Sequence, residues 1–237
     1  MSNELFRIGF DYFLHSEMGV QVPIMAPVDS HLICVGGSGA GKSTGVLYWI
    51  SKLKRYNPDL YICDFKKSNE FSGITDNFAQ FEDCITCIRK FYEIFLATPE
   101  GGNGLRILII DEIAGFLTYL SSKSETKSIG DEIRAIMATI LMLGRSRKCF
   151  LWLSMQRYSA SIFPQASGAA DNFMVVVGLG RLSVDSRKGL FAGEHFDGEE
   201  NLVYKTGSGI VLIDGQPLQG LLLPKISKAD LLLRITS

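Results

Sequence analysis

The chain has 237 residues and a formal net charge of −1, which excludes a protein that coats nucleic acid through a global basic surface. Its 46% hydrophobic and 21% charged content is that of a globular protein with a substantial core. No apolar run is long enough to cross a bilayer and the acidic, broken N-terminus is no signal peptide; direct membrane insertion is therefore not expected, a cytoplasmic location is, and the five scattered cysteines suit a reducing compartment.

Leu5 to Leu14 and Val20 to Met25 read as two strands joined around Gly19, a hairpin at one sheet edge. The apolar run Leu32-Ile33-Cys34-Val35 reads as a buried strand. It leads into Gly36-Gly37-Ser38-Gly39-Ala40-Gly41-Lys42-Ser43, a complete G-x-x-x-x-G-K-[ST] phosphate-binding loop. A helix from Lys42 to Lys54 follows, with Val46, Leu47, Ile50 and Leu53 on one face. Glycines let the backbone point several N–H groups at one phosphate chain, and the helix N-terminus adds partial positive charge. The candidate nucleotide contacts are Gly36, Gly37, Ser38, Gly39, Ala40, Gly41, Lys42, Ser43 and Thr44. Lys42 is expected to reach the β- and γ-phosphates and Ser43 to hold Mg²⁺. Lys52, Lys54 and Arg55 read as a solvated helix end or a local nucleic-acid contact.

Leu60 to Asp64 is a further short strand, followed by a polar loop and an amphipathic helix to about Leu96. Cys84 and Cys87 lie in that helix as a lone C-x-x-C; without a second pair they read as core residues before zinc ligands. Pro99 to Gly104 is a turn cluster. Leu105 to Ile110 is a strand ending in Asp111-Glu112, and Ile129 to Gly144 is helical by spacing. Cys149 to Ser154 and Phe173 to Val177 are apolar strands. Strands alternating with helices imply an α/β fold with a mainly parallel sheet covered on both faces. Beyond Gly193 short strands alternate: Asn201 to Lys205, Gly209 to Ile213 and Leu218 to Leu223, with hairpin turns at Gly207-Ser208-Gly209 and Asp214-Gly215. A last helix covers Ser227 to Arg234, capped by Ser227. One domain is expected over 1–237, with a β-hairpin region at 1–29, a phosphate-loop core at 30–192, and β-hairpins and a helix at 193–237.

An apolar strand ending in two carboxylates is the expected partner of a phosphate loop. Asp111 is placed to hold the Mg²⁺ shell through water, and Glu112 to polarise the attacking water, which favours hydrolysis over a kinase or a GTP switch. The plain alternative is a buried strand leading into an acidic helix start. No guanine-reading N-K-x-D is present, so ATP is favoured over GTP. Gln156, at the end of the next core strand, is a candidate γ-phosphate sensor.

These elements follow one order. His31 precedes the first core strand, and the phosphate loop comes next. Asp64-Phe65-Lys66-Lys67 with Glu70-Phe71 looks like an Asp-Pro-Lys…Glu-Leu segment, and Ile110-Asp111-Glu112-Ile113-Ala114 like Val-Asp-Glu-Phe-Ala. Arg145 lies upstream of Gln156-Arg157; Asn172, Asp185-Ser186-Arg187 and Gly215-Gln216-Pro217-Leu218-Gln219-Gly220 complete the set. The ordered set resembles the FtsK/SpoIIIE-type DNA translocases of the FtsK–HerA group, through almost the whole chain. Departures are Lys148 where that family has glycine, Tyr158 where it has proline, and Val175-Val176 in place of its Thr-Arg-Ile. The Asp-Ser-Arg element also sits closer to Asn172 than usual. With no anchor, linker or C-terminal winged helix in view, a mobile element is the expected setting: plasmid or conjugative transfer, or viral genome packaging.

The resemblance implies a RecA-like core and a ring, expected to be a hexamer, with ATP between subunits. An arginine from the neighbour would stabilise the transferred phosphoryl group. Arg145 and Arg187 are the candidates, with Arg181 and Arg147 behind them; each is otherwise a surface ion-pair partner. The Ser121 to Gly130 loop, with Lys123 and Lys127, and the Arg157 to Ala170 loop are candidates for touching double-stranded DNA or are solvated connections. A different class remains open: an ATP-dependent switch or adaptor that recruits a nuclease, relaxase or membrane channel without pumping DNA. A small-molecule kinase is a third reading, disfavoured by the absence of an obvious lid or acceptor pocket.

Overall fold

The computed structural model of the protein describes residues 4–194 and 204–236. The strands are β1 (Leu5–Asp11), β2 (Pro23–Pro27), β3 (Leu32–Gly36), β4 (Asp59–Asp64), β5 (Phe78–Gln80), β6 (Arg106–Asp111), β7 (Cys149–Met155), β8 (Val175–Leu179), β9 (Ser208–Ile213) and β10 (Gln219–Leu222). The helices are α1 (Tyr12–Met18), α2 (Lys42–Leu53), α3 (Asp83–Ala97), α4 (Ile113–Ser121), α5 (Ser124–Leu143), α6 (Val184–Leu190) and α7 (Lys228–Thr236). All ten strands form one sheet in the order β2-β1-β10-β9-β8-β3-β7-β6-β4-β5. From β8 to β5 every pairing is parallel. From β8 back through β9, β10 and β1 to β2 every pairing is antiparallel.

Alternation along the parallel strands splits the core between the two faces, as a period of two requires. Ile33, Val35, Leu108, Ile110, Leu151 and Leu153 pack with Phe91, Phe95, Phe116 and Ile133 from α3, α4 and α5. Leu32, Cys34, Ile107, Ile109, Phe150 and Trp152 pack with Leu47, Trp49, Ile50 and Leu53 from α2. Both tryptophans of that second face find partners for their indole N–H: Trp49 donates to Ile8 O at 2.7 Å and Trp152 to Ser30 O at 3.1 Å. The two rings meet edge to face, with centroids 6.3 Å apart. This anchors α2, the helix behind the phosphate loop, against the sheet centre, where burying large aromatic groups contributes most.

The α/β fold, the parallel core and its double covering are as expected. Several local expectations are corrected. The first strand stops at Asp11, whose side chain accepts the Leu14 N–H at 2.9 Å and starts α1; the helix ends at Gly19 in the left-handed region (φ 69°). β1 and β2 still pair at the sheet edge, through a helix and not a tight turn. The expected serine-rich loop from Ser121 to Gly130 is mostly helix, since α5 starts at Ser124. Thr126 Oγ1 donates to Leu120 O at 2.7 Å, and Glu125 sits in the first turn where the helix dipole favours it. Of the expected strand Asn201 to Lys205, residues 201–203 lie outside the described residues, and Tyr204 and Lys205 are not strand. Ser208 and Gly209 belong to β9 and not to a hairpin turn, whereas Asp214-Gly215 does turn β9 into β10. The end strands are continuous with the central sheet and form its antiparallel edge.

Candidate active site

The site is built at the C-terminal ends of β3, β7, β6 and β4, which are adjacent in the sheet. Leaving β3, the chain turns through Gly39 (φ 75°) and Gly41 (φ 100°), backbone states that favour glycine, and enters α2. A Cβ on Gly36 would lie 2.6 Å from Leu179 O, and one on Gly41 3.2 Å from Gly207 N, so the loop is also seated tightly on its neighbours. No side chain caps α2, which leaves its first N–H groups facing the loop, the arrangement that binds an anion. The Lys42 ammonium donates to Gly36 O at 2.7 Å and Gly37 O at 3.1 Å, held across the loop that phosphates would enter.

Asp111 ends β6 opposite Ser154 of β7 on one side and Asp64 of β4 on the other. It is 4% exposed and accepts a short hydrogen bond from the Ser154 hydroxyl. Burial pushes its carboxyl up from the ordinary value, against the Ser154 hydrogen bond and the Lys66 charge. Glu112 is 8% exposed and occupies the left-handed region (φ 60°) at the start of α4. Its side chain does not cap α4; Oε2 lies 2.5 Å from the Lys66 ammonium.

A cleft of about 320 Å³ is lined by Ser38, Gly39, Gly41, Lys42, Ser43 and Thr44 of the phosphate loop and by Asp111. Lys66, Ser68, Glu70, Thr206 and Lys228 complete the lining. None of these five was singled out as a site residue by motif; only Lys66 and Glu70 carried a signal, through the segment from Asp64 to Phe71. Glu70 pairs with Lys228, at the start of α7. Burial works to raise the Glu70 carboxyl, but hydrogen bonds from Lys228 and Ser43, with the charges of Lys228 and Lys66, hold it below the usual carboxylate range. The Ser43 hydroxyl and the Asp111 carboxylate, with Glu70 on Ser43, are a hard oxygen set that fits Mg²⁺. Among the described residues no group of three or more His, Cys, Asp or Glu could hold a metal by itself. Such an ion would therefore complete its shell with nucleotide phosphates and water.

Gln156 follows β7 directly and is exposed at the same end of the sheet, between the ends of β3 and β6, without lining the cleft. The arginines separate. Arg187 is half-buried in α6, which follows β8, on the phosphate-loop side. Arg145 precedes β7, at the opposite end of the sheet, and lines a second cleft of about 310 Å³ with Asn172 and Asp214. Arg147 is structural: it donates to Thr98 O at 2.5 Å and lies over the Phe95 ring. Arg181 is exposed just after β8. Arg157 pairs with Asp185 at 2.6 Å, and the Tyr158 N–H bonds the Ser186 hydroxyl at 3.1 Å, so the Gln-Arg and Asp-Ser-Arg elements meet in space. Lys148 adopts φ 55°, a state glycine takes without strain. Cys84 and Cys87 are buried in α3, and all five cysteines are unpaired.

No protein-family model matches the chain. The FtsK domain-containing protein YdcQ of Bacillus subtilis (strain 168) is 26% identical over 184 residues, 69% of this chain and 37% of that protein. The cytoplasmic domain of the Thermomonospora curvata type VII secretion ATPase EccC superposes with a TM-score of 0.71 at 16% identity, over 98% of this chain and 31% of that one. The pCW3 conjugation coupling protein TcpA, solved with ATPγS, gives 0.67 at 16% identity over 89% and 67%. The genome packaging NTPase B204 of Sulfolobus turreted icosahedral virus 2, also with ATPγS, gives 0.57 at 17% identity over 83% and 98%. The chain thus spans little more than a third of the curated relative's length. The P-loop ATPase fold and the resemblance to FtsK-type proteins expected from the ordered motifs are both borne out.

Proposed function

We propose that this chain is an ATP-hydrolysing motor unit of the FtsK type that assembles into a ring, expected to be hexameric, and moves double-stranded DNA for a mobile element. The observation that carries the ATPase reading is the convergence of Lys42, Ser43 and Asp111 on one cleft, with Glu112 beside it and paired to the cleft's Lys66. The ATPγS bound in the TcpA and B204 structures supports the same ligand class. Lys42 and the α2 N–H groups bind and neutralise the phosphate chain. Ser43 and Asp111 hold Mg²⁺, which when bound offsets the charge of the phosphates. Glu112 accepts a hydrogen bond from the attacking water. Gln156, between the phosphate-loop strand and the Asp111 strand, relays the γ-phosphate state to the loop from Arg157 to Ala170. Arg187 or Arg145 acts on a neighbour's nucleotide. The chain works as one ATPase unit, in the cytoplasm, where its unpaired cysteines stay reduced. Delivery to DNA falls to a relaxase, nuclease or membrane partner. TcpA is a conjugation coupling protein and B204 a genome packaging NTPase, which supports the mobile-element setting.

A second reading, an ATP-dependent switch or adaptor that recruits a partner without pumping DNA, draws support from the secretion ATPase among the structural neighbours and the net charge of −1. Steady-state ATP hydrolysis with and without linear double-stranded DNA separates the two. A motor is strongly stimulated. Lys42→Ala abolishes nucleotide binding, whereas Glu112→Gln keeps nucleotide bound and slows hydrolysis on the order of a hundredfold or more. Slow hydrolysis indifferent to DNA replaces the motor with the adaptor.

A further inference from the structure

Two cations of the cleft lie outside the phosphate-loop motif: Lys228, which pairs with Glu70, and Lys66, which pairs with Glu112. Lys66 lies in the turn that leaves β4, closed by the Lys67 N–H on Asp64 O at 3.3 Å. Asp64 stands opposite Asp111 in the sheet, so this turn lies beside the end of β6. The turn is clamped at its base: the Phe65 ring packs on Phe81, Phe116 and Tyr119 with centroids 5.4, 5.1 and 5.8 Å away. The lysine stem is free to swing by comparison, with its side chain 40% exposed. Its ammonium lines the phosphate cleft and pairs with Glu112 Oε2 at 2.5 Å. Its charge also acts on Asp111 and Glu70. Gly115 leaves room for this placement, since a Cβ there would come within 3.2 Å of Glu112 Cγ.

A cation among three carboxylates in a phosphate cleft has two alternative sets of partners. Only the lysine end of this pair is exposed, so parting it from the buried Glu112 carries a desolvation cost that a competing anion must offset. A triphosphate brings a dense negative charge and strong acceptor oxygens to the same cleft, and lysine is a mobile point charge with three donors. We propose that Lys66 is a phosphate-sensing residue: it holds Glu112 as an ion pair when no terminal phosphate is present, and exchanges that carboxylate for the γ-phosphate of a bound triphosphate. The exchange frees Glu112 to receive the attacking water only when there is a bond to cleave. A diphosphate has no γ-phosphate to offer, so Lys66 returns to Glu112 after hydrolysis. The proposal rests on the ATPase reading above.

Titration calorimetry of the whole chain with ATPγS and with ADP, in the presence of Mg²⁺, tests it. Lys66→Met weakens ATPγS by about tenfold and ADP by less than about threefold. Lys66→Arg keeps the preference for ATPγS. Glu112→Gln removes the competing charge and tightens ATPγS when Lys66 is present, but has no such effect in the Lys66→Met background. The exposed lysine predicts variants that melt with the wild type; Lys66→Gln carries the same expectation and serves if the methionine variant does not fold. Equal losses for both nucleotides, or a Glu112→Gln effect independent of Lys66, overturn the exchange while leaving the ATPase reading intact. A wild-type chain that binds neither nucleotide overturns both.

Discussion

Asp111 enters the cleft with one oxygen already engaged by the Ser154 hydroxyl, and both groups are buried. A buried carboxylate stripped of its donor bears the full desolvation penalty. Ser154→Ala is therefore expected to lower stability by about 1–3 kcal/mol, read from urea unfolding, and to weaken Mg²⁺-dependent ATPγS binding. An unchanged unfolding midpoint would show that Asp111 does not depend on Ser154. The residues that were legible in advance, Lys42, Ser43, Asp111 and Glu112, belong to contiguous motifs whose chemistry is local. Thr206 and Lys228 were not legible because they reach the cleft from the far end of the chain, through β9, β10 and α7. Ser154 read only as part of a strand end, since its role depends on the register between β6 and β7.

At the level of elements, β3 is the pivot, and His31 fixes its entry. The imidazole Nδ1 accepts the Leu151 N–H at 3.0 Å, and the His31 carbonyl accepts the Val175 N–H, so one residue joins β3 to β7 and β8. Burial, with help from the Arg145 charge, pushes His31 from 6.5 down to about 3. The folded protein thus keeps His31 neutral where the unfolded chain protonates it. Its contribution is complete above pH 6.5 and is lost as pH falls toward 3, at up to about 1.4 kcal/mol per pH unit. Urea midpoints measured between pH 6.5 and pH 5 should fall in the wild type and fall less in His31→Gln; parallel slopes would remove His31 as the cause. The same scale shows why some elements were misread. The apolar stretch from Phe10 to Leu14 has the composition of a strand, and only the Asp11 cap turns it into α1. The polar stretch from Ser124 to Lys127 has the composition of a loop, yet it is the exposed first turn of a helix whose apolar face begins later, around Ile133. Local composition reports neither outcome, because capping and packing decide both.

For the molecule as a whole, the two arginine candidates stand at opposite ends of the sheet, and even a five-residue strand spans about 17 Å. One neighbour cannot bring both to the same phosphate. Mixing Lys42→Ala chains with Arg187→Ala chains, each inactive alone, should restore hydrolysis if Arg187 acts across a subunit boundary, because some interfaces then combine an intact loop with an intact arginine. Recovery with Arg145→Ala in place of Arg187→Ala would move the role to Arg145. A chain that stays monomeric with ATPγS and DNA in sedimentation would rule out shared sites altogether. The pairing of β1 with β10 has a different consequence, for the order in which the protein can be made. Phe10 pairs with Leu222 and Asp11 with Leu221, so β1 stays without this partner until β10, far along the chain, has been made. Until β10 arrives, β1 presents an open edge and β8 lacks the β9 that covers it. Closure of this sheet is therefore a late, non-local and slow event, and the nascent chain, not the folded protein, is the form most exposed to aggregation.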